Sequence, residues 1–180
     1  MVVALVATMW TIELVDTVLL DDRLQTNGIV PRQRTSIDGI AYSPFLHLGW
    51  PHLIANTVPL AVLGVLVTLW GWRRWVLVTV LIAVMGGGAT WVLARSGNHI
   101  GASGLVFGYF GFLIGAVFFE RRLWPILPAA VAVFAYGGAV VAGLAPTDGV
   151  SWEGHVFGAV AGVVAAKLTS RRGSASASSD

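Results

Sequence analysis

The sequence predicts an all-helical, polytopic membrane protein with six membrane-spanning helices. Of its 180 residues, 56% are hydrophobic and only 11% are charged, whereas a soluble domain carries about 25% charged residues. The apolar residues form six runs, each close to the roughly 20 residues that a helix needs to cross the hydrocarbon core. With so little charge to cover a water-exposed surface, the chain requires lipid as its solvent.

The first predicted span covers residues 2 to about 20, with Glu13 and Asp16 in its second half. No Lys or Arg precedes this run, so we interpret it as a retained span and not as a cleaved signal peptide. A long polar connection follows at about 21–51. The remaining spans are predicted at about 52–70, 75–94, 102–119, 125–143 and 152–169. Residues 1–169 then form one membrane domain, and 170–180 form a disordered cytoplasmic tail.

Basic residues predict the orientation of the spans. Cytoplasmic loops of membrane proteins carry an excess of Lys and Arg. Here that excess falls on one side if both termini are cytoplasmic, which predicts a multi-pass protein of the cell membrane. Because the basic residues lie in short loops and in the tail, and not on one face, nucleic-acid binding is not expected. They are Arg73, Arg74, Arg121, Arg122, Lys167, Arg171 and Arg172.

This topology brings several polar residues to the same depth of the membrane. Spans two, four and six all enter from the outside, at His52, Ser103 and His155 respectively. At about 1.5 Å per helical residue, these side chains and Asn56 lie within a few turns of the outer surface. Polar groups at this depth are costly and therefore indicate function.

Ser103 and His155 have the residue types of a nucleophile and its general base. A serine hydroxyl becomes nucleophilic when an imidazole within hydrogen-bonding reach takes its proton. Small residues at four-residue spacing let two helices approach closely, and such stripes follow both residues. If the stripes packed together, imidazole and hydroxyl would meet; ordinary membrane packing is the alternative for the glycines alone. The stripes are Gly104, Gly108, Gly111 and Gly115, and Gly154, Gly158 and Gly162.

His52 and Asn56 are spaced four residues apart, so they share one helix face. Their N–H donors would stabilise the oxyanion of a tetrahedral intermediate; the alternative is that they cap the helix or hold the first loop. We expect a supporting, loop-ordering role for His47, and His99 is interpreted as a loop residue. With no cysteine, no His-x-x-x-His pattern and no acid at ligand spacing, neither a metal nor another cofactor is expected.

These motifs, in this order and on these spans, resemble the rhomboid intramembrane serine proteases. The resemblance extends over the whole six-helix core. It implies a rhomboid-like bundle, a Ser103–His155 dyad without a third acid, and an oxyanion hole made by His52, Asn56 and the Ser103 backbone N–H. It also implies transmembrane protein substrates cleaved near the outer face of the bilayer. The motifs are Gly101-Ala102-Ser103-Gly104, His47 with His52 and Asn56, and Gly154-His155 followed by Gly158 and Gly162.

Two other functions compete with proteolysis. One is a non-catalytic rhomboid-like protein that binds transmembrane helices and assists their quality control; such a protein is expected to lack the serine or the histidine, and this chain has both. The other is a small transporter or channel, which the scarcity of intramembrane charge and the absence of an interrupted helix pair disfavour.

Overall fold

The computed structural model describes residues 1–147 and 149–170. Within these residues the fold is all-helical, as predicted, and β pairing is limited to one bridge between Ile29 and His99. The predicted tail from 171 onward lies outside the described residues. The α-helices are α1 Val2–Leu19, α2 Gly39–Tyr42, α3 Gly49–Thr68, α4 Trp72–Leu93, α5 Ser103–Phe119, α6 Ile126–Gly143 and α7 Trp152–Thr169.

The six long helices coincide with the six predicted spans to within about three residues, with α3 beginning at Gly49 instead of 52. By length and apolarity alone, α1, α3, α4 and α6 qualify as membrane spans. Helix α5 is apolar but has only 17 residues, and α7 is made less apolar by Glu153, His155 and Lys167. These two are also the helices most enclosed by protein, so they need less lipid-facing apolar surface.

Helix α5 is the centre of the bundle. It packs most extensively on α7 and also contacts α3, α4 and α6, while α1 lies on the outside of α3. The core side chains Tyr109, Phe112 and Leu113 of α5 are fully buried. Contact with α5 therefore sets the positions of the other long helices, apart from α1.

At one end of the bundle, four helix termini are joined by polar contacts around Arg74 and Glu120. Arg74, in the first turn of α4, pairs with Glu120 at the end of α5 and donates to Thr169 Oγ1 at the end of α7 (3.0 Å). Trp70, just after α3, donates to the same Glu120 carboxylate (3.2 Å). The arginine-rich connections therefore share one end of the bundle, as the predicted topology requires.

At the opposite end lies the long connection between α1 and α3. It is ordered by three 3₁₀ turns and the short helix α2, which packs on α4. Asp16 accepts the backbone N–H groups of Leu24 and Gln25 (2.8 and 3.2 Å), which accounts for the burial of this acid in the second half of the first span. This end of the bundle holds the candidate site.

Candidate active site

Ser103 begins helix α5, and the segment before it is fixed by the α1–α3 connection. The N–H of Gly101 donates to the Ser43 carbonyl (2.8 Å), and that of Ala102 donates to His47 Nε2 (3.3 Å). The next N–H, that of Ser103, is in the first helical turn, where amides have no partner within the helix. Ser103 is thereby held at a helix N-terminus, where its amide N–H lies beside its hydroxyl.

Ser103 and His155 are hydrogen-bonded to each other. The distance from Ser103 Oγ to His155 Nε2 is 2.9 Å, and His155 Nδ1 is 2.8 Å from the carbonyl oxygen of Gly143. A carbonyl oxygen only accepts, so Nδ1 carries the proton and Nε2 is left to accept from the serine. Phe107 stacks on the imidazole with 4.2 Å between ring centroids and 6° between planes. Ring orientation and tautomer both suit a general base.

The two residues meet because α5 and α7 touch backbone to backbone along their glycine stripes. A Cβ atom built on Gly158 would overlap the carbonyl oxygen of Gly104, and one on Gly162 would overlap that of Gly108. A Cβ on Gly111 would likewise overlap the carbonyl oxygen of Ala159. Only glycine permits this separation, so the stripes set the distance between the hydroxyl and the imidazole.

His52 and Asn56 lie on the face of α3 that is turned toward Ser103. His52 Nδ1 accepts the Leu48 N–H (3.2 Å), which leaves Nε2 to carry the ring proton. Asn56 Nδ2 donates one hydrogen to the His52 carbonyl (2.9 Å), so a second amide hydrogen remains. A Cβ on Gly101, whose φ is +111°, would lie 2.9 Å from His52 Nε2; glycine is therefore required here on two grounds.

A cavity of about 520 Å³ unites these groups. Ser103, His155, His52 and Asn56 all line it, and α6 forms the opposite wall through Tyr136, Ala139, Val140 and Gly143. The structure thus brings together the four residues that the sequence predicted to act chemically. Their arrangement places a hydroxyl, an imidazole bonded to it and further N–H donors around one space large enough for a peptide segment.

His47 supports the loop in front of Ser103 and does not line this cavity. Its side chain is 2% exposed. Burial, together with the neighbouring His52, lowers the pKa of His47 to about 4. At neutral pH the ring is therefore uncharged, as an acceptor for the Ala102 N–H must be.

Sequence reasoning missed three contributors to the site. Phe107 follows Ser103 by four residues and so shares its helix face, a signal that was present in the sequence. Gly143, whose carbonyl holds the imidazole, gave no signal. His99, interpreted as a loop residue, is in a connection but is 6% exposed, and its ring bonds to Ser151.

Within residues 1–147 and 149–170, no three His, Cys, Asp or Glu side chains are grouped so that they would hold a metal ion. Glu153, the acid next to His155 in sequence, faces Arg95 instead, with 3.6 Å between Oε1 and the arginine Nε. It therefore serves the end of α4 and not the imidazole.

Comparison with known proteins identifies the family. The Rhomboid domain matches residues 35–172. An uncharacterized protein of Mycobacterium tuberculosis strain H37Rv, Rv1337, is 44% identical over 178 residues, covering 94% of this chain and 74% of the relative. The uncharacterized protein ML1171 of Mycobacterium leprae is 42% identical over 179 residues, covering 94% of this chain and 70% of the relative. The chain is therefore a membrane protein of the rhomboid family.

Proposed function

We propose that this rhomboid family member is an intramembrane serine endopeptidase that cleaves peptide bonds in or near transmembrane segments of other membrane proteins. The observation that carries the proposal is the 2.9 Å hydrogen bond from Ser103 Oγ to His155 Nε2, with Nδ1 donating to the Gly143 carbonyl. A non-catalytic family member is expected to lack the serine or the histidine, and this chain has both.

The reaction is acyl transfer in two halves. Ser103 Oγ attacks the scissile carbonyl carbon while His155 Nε2 takes the hydroxyl proton. The tetrahedral intermediate collapses, the C–N bond breaks, and His155 returns the proton to the leaving amine. Water, deprotonated by His155, then attacks the ester carbon and releases the new carboxylate and the serine hydroxyl.

The oxyanion of each tetrahedral intermediate is stabilised by N–H donors on the cavity wall. The proposed donors are His52 Nε2, the second Nδ2 hydrogen of Asn56 and the backbone N–H of Ser103. Donors aimed at a developing oxyanion in a water-poor site each contribute about 10²-fold or more to the rate. The positive end of the α5 dipole adds to this stabilisation.

The substrate class follows from the site's depth. A peptide bond within an intact helix is shielded by its own hydrogen bonds, so a cleavable segment must unwind locally. Segments containing weak helix formers such as Gly or Pro are therefore favoured. With both termini in the cytoplasm, the site faces the outer side of the cell membrane, where water for the second half-reaction is available.

The decisive experiment uses purified protein in detergent with a test substrate that has one transmembrane segment and a glycine-rich outer portion. We expect the wild type to cleave it and to be labelled by a fluorophosphonate. Ser103→Ala and His155→Ala should abolish cleavage, a loss of at least about 10³-fold. Ser96→Ala, at an exposed serine in the α4–α5 connection, is the matched control and should retain full activity.

Two results would overturn this proposal. Undiminished cleavage by Ser103→Ala would exclude the hydroxyl as nucleophile. A folded wild type that neither cleaves nor takes the fluorophosphonate, yet captures transmembrane helices, would instead support the non-catalytic, helix-binding function.

A further inference from the structure

A second hydrogen-bonded His–Ser pair lies just outside the first. His99 Nδ1 is 2.6 Å from Ser151 Oγ. His99 precedes Ser103 by four residues, and Ser151 precedes His155 by four. The two segments that meet at the candidate dyad therefore also meet four residues earlier in each, with the serine and the histidine exchanged between them.

His99 is held in place by both its ring and its backbone. Its Nε2 is 3.1 Å from the Arg95 carbonyl, so Nε2 carries the proton and Nδ1 accepts from the Ser151 hydroxyl. Its backbone N–H and C=O both bond to Ile29 (2.9 and 3.0 Å). Because the ring is only 6% exposed and bonded at both nitrogens, it holds the Ser151 hydroxyl in one position.

Ser151 in turn fixes the first turn of α7. Its carbonyl accepts the N–H of His155 (3.1 Å). A Cβ on Gly154 would lie 2.7 Å from Ser151 Oγ, so the hydroxyl is packed against the helix that it precedes. A displacement of Ser151 is therefore transmitted to the turn that carries His155.

Arg95 adds a second tie between the same two connections. Its Nη2 donates to the Val150 carbonyl (2.6 Å), and its Nε lies 3.6 Å from Glu153 Oε1. Arg95 is itself the residue whose carbonyl holds the His99 ring. The α4–α5 connection thus contacts residues on both sides of Ser151.

We propose that His99 and Ser151 form a positioning pair that sets the register between the start of α5 and the start of α7, and so keeps Ser103 and His155 within reach of each other. This inference rests on the proposed protease function and deepens it. Ser151 lines the cavity. The ring nitrogens of His155, however, bond to Ser103 and to the Gly143 carbonyl and not to this pair. The pair acts only by positioning the dyad. A displacement of reacting groups by about 1 Å lowers the rate of cleavage on the order of 10²-fold.

Two substitutions of His99 separate its two hydrogen bonds. His99→Asn keeps an acceptor near the Nδ1 position and can serve Ser151, whereas His99→Gln keeps a donor near the Nε2 position and can serve only Arg95. We expect His99→Gln and Ser151→Ala to lower kcat about tenfold or more with little change in KM. His99→Asn should stay within about threefold of the wild type. Because the two amides are close in size and polarity, a purely structural role would affect both alike.

A second readout needs no proteolysis. The chain contains no cysteine, so Ser103→Cys introduces one thiol, whose alkylation by iodoacetamide can be followed against pH. An adjacent imidazole lowers the pKa of a thiol, and Ser103→Cys combined with His155→Ala gives the unassisted profile. We expect His99→Gln to move the Ser103→Cys profile toward the unassisted one and His99→Asn to leave it unchanged, with melting temperatures confirming that each variant is folded.

The outcomes distinguish this proposal from the proposed function. If the wild type does not cleave but the thiol profile responds to His99→Gln, the protease function fails and the positioning pair stands. Identical thiol profiles for His99→Gln and His99→Asn, in folded variants, overturn the positioning pair. Fluorophosphonate labelling of Ser151 in Ser103→Ala overturns it as well, because Ser151 would then be a second reactive serine.

Discussion

The α5–α7 interface and helix α6 border the same cavity but have opposite surroundings. Helix α5 buries ten of its 17 residues, whereas α6 buries only four of 18, and Phe134 on α6 is 96% exposed. Glycines at the α5–α7 interface bring backbones into contact, while Gly138 on α6 has open space around it. The same residue type is therefore a packing requirement on one helix and a free position on the other.

The difference is consistent with the chemistry that we propose for Ser103 and His155. Helix α5 is largely buried and α7 packs along it, so that Ser103 and His155 are held at a fixed separation. Helix α6 contributes the Gly143 carbonyl and one wall of the cavity, but its outer face is apolar and suited to lipid. A rigid interface beside a weakly packed wall suits the proposed protease, because it combines a fixed dyad geometry with a side open to a substrate segment.

The largest contrast is expected between two Gly→Ala substitutions. At Gly162, the added Cβ would overlap the Gly108 carbonyl oxygen, so α5 and α7 must separate. We expect a loss of about 3 kcal/mol in unfolding free energy and of nearly all cleavage. At Gly138 there is space, and alanine is the better helix former by about 1 kcal/mol, so stability should hold or rise. Unfolding in detergent and substrate cleavage measure both; equal effects at the two sites would refute the comparison.

A smaller contrast is expected between two Phe→Ala substitutions. Phe107 stacks on His155, and its removal frees the imidazole to rotate away from Ser103. We expect cleavage to fall about tenfold, since general-base catalysis contributes on the order of 10² or more to the rate and a misoriented base supplies only part of it. Phe134→Ala changes only an exposed side chain of α6 and should leave kcat unchanged. If Phe107→Ala cleaves as fast as Phe134→Ala, the stacking does not orient the base.

The smallest expected effect is a pH dependence of the unfolding free energy. It is caused by His47, which accepts the Ala102 N–H just before α5. His47 has a pKa of about 4 when folded and about 6.5 when unfolded. Between these values the unfolded chain binds a proton that the folded chain does not, so stability falls as pH falls through this window. His47→Gln retains an acceptor for the Ala102 N–H but does not titrate.

We therefore expect the wild type to lose about 1 kcal/mol relative to His47→Gln between about pH 7 and pH 5.5. Unfolding of both proteins across this range measures the difference. Parallel pH profiles would show that His47 is not buried as a neutral acceptor.

Much of the fold and part of the site could be predicted from the sequence, because the relevant signals are local. Runs of apolar residues located all six long helices, and the topology placed Ser103, His155, His52 and Asn56 in one layer. The glycine spacings indicated which helix faces would meet. Phe107 could have been found by the same spacing argument, since it shares a helix face with Ser103.

The remaining features depend on pairs of residues far apart in the chain. The proton position on His155 is set by Gly143, twelve residues away and on another helix. The His99–Ser151 bond joins two connections 52 residues apart, and neither residue has a distinctive motif. No local pattern carries such information, because it arises only when the connections are packed against each other.

By itself, the sequence determined that the chain belongs in a membrane, where its helices run, and which polar residues share one layer of the bundle. Hydropathy and helical period fix these features residue by residue. The tertiary structure alone decided which glycines bring backbones into contact and which nitrogen of the His155 ring carries the proton. It also decided which loop residues form hydrogen bonds next to the candidate site. Those properties depend on the spacing, to within a few tenths of an ångström, of segments that only the packed bundle brings together.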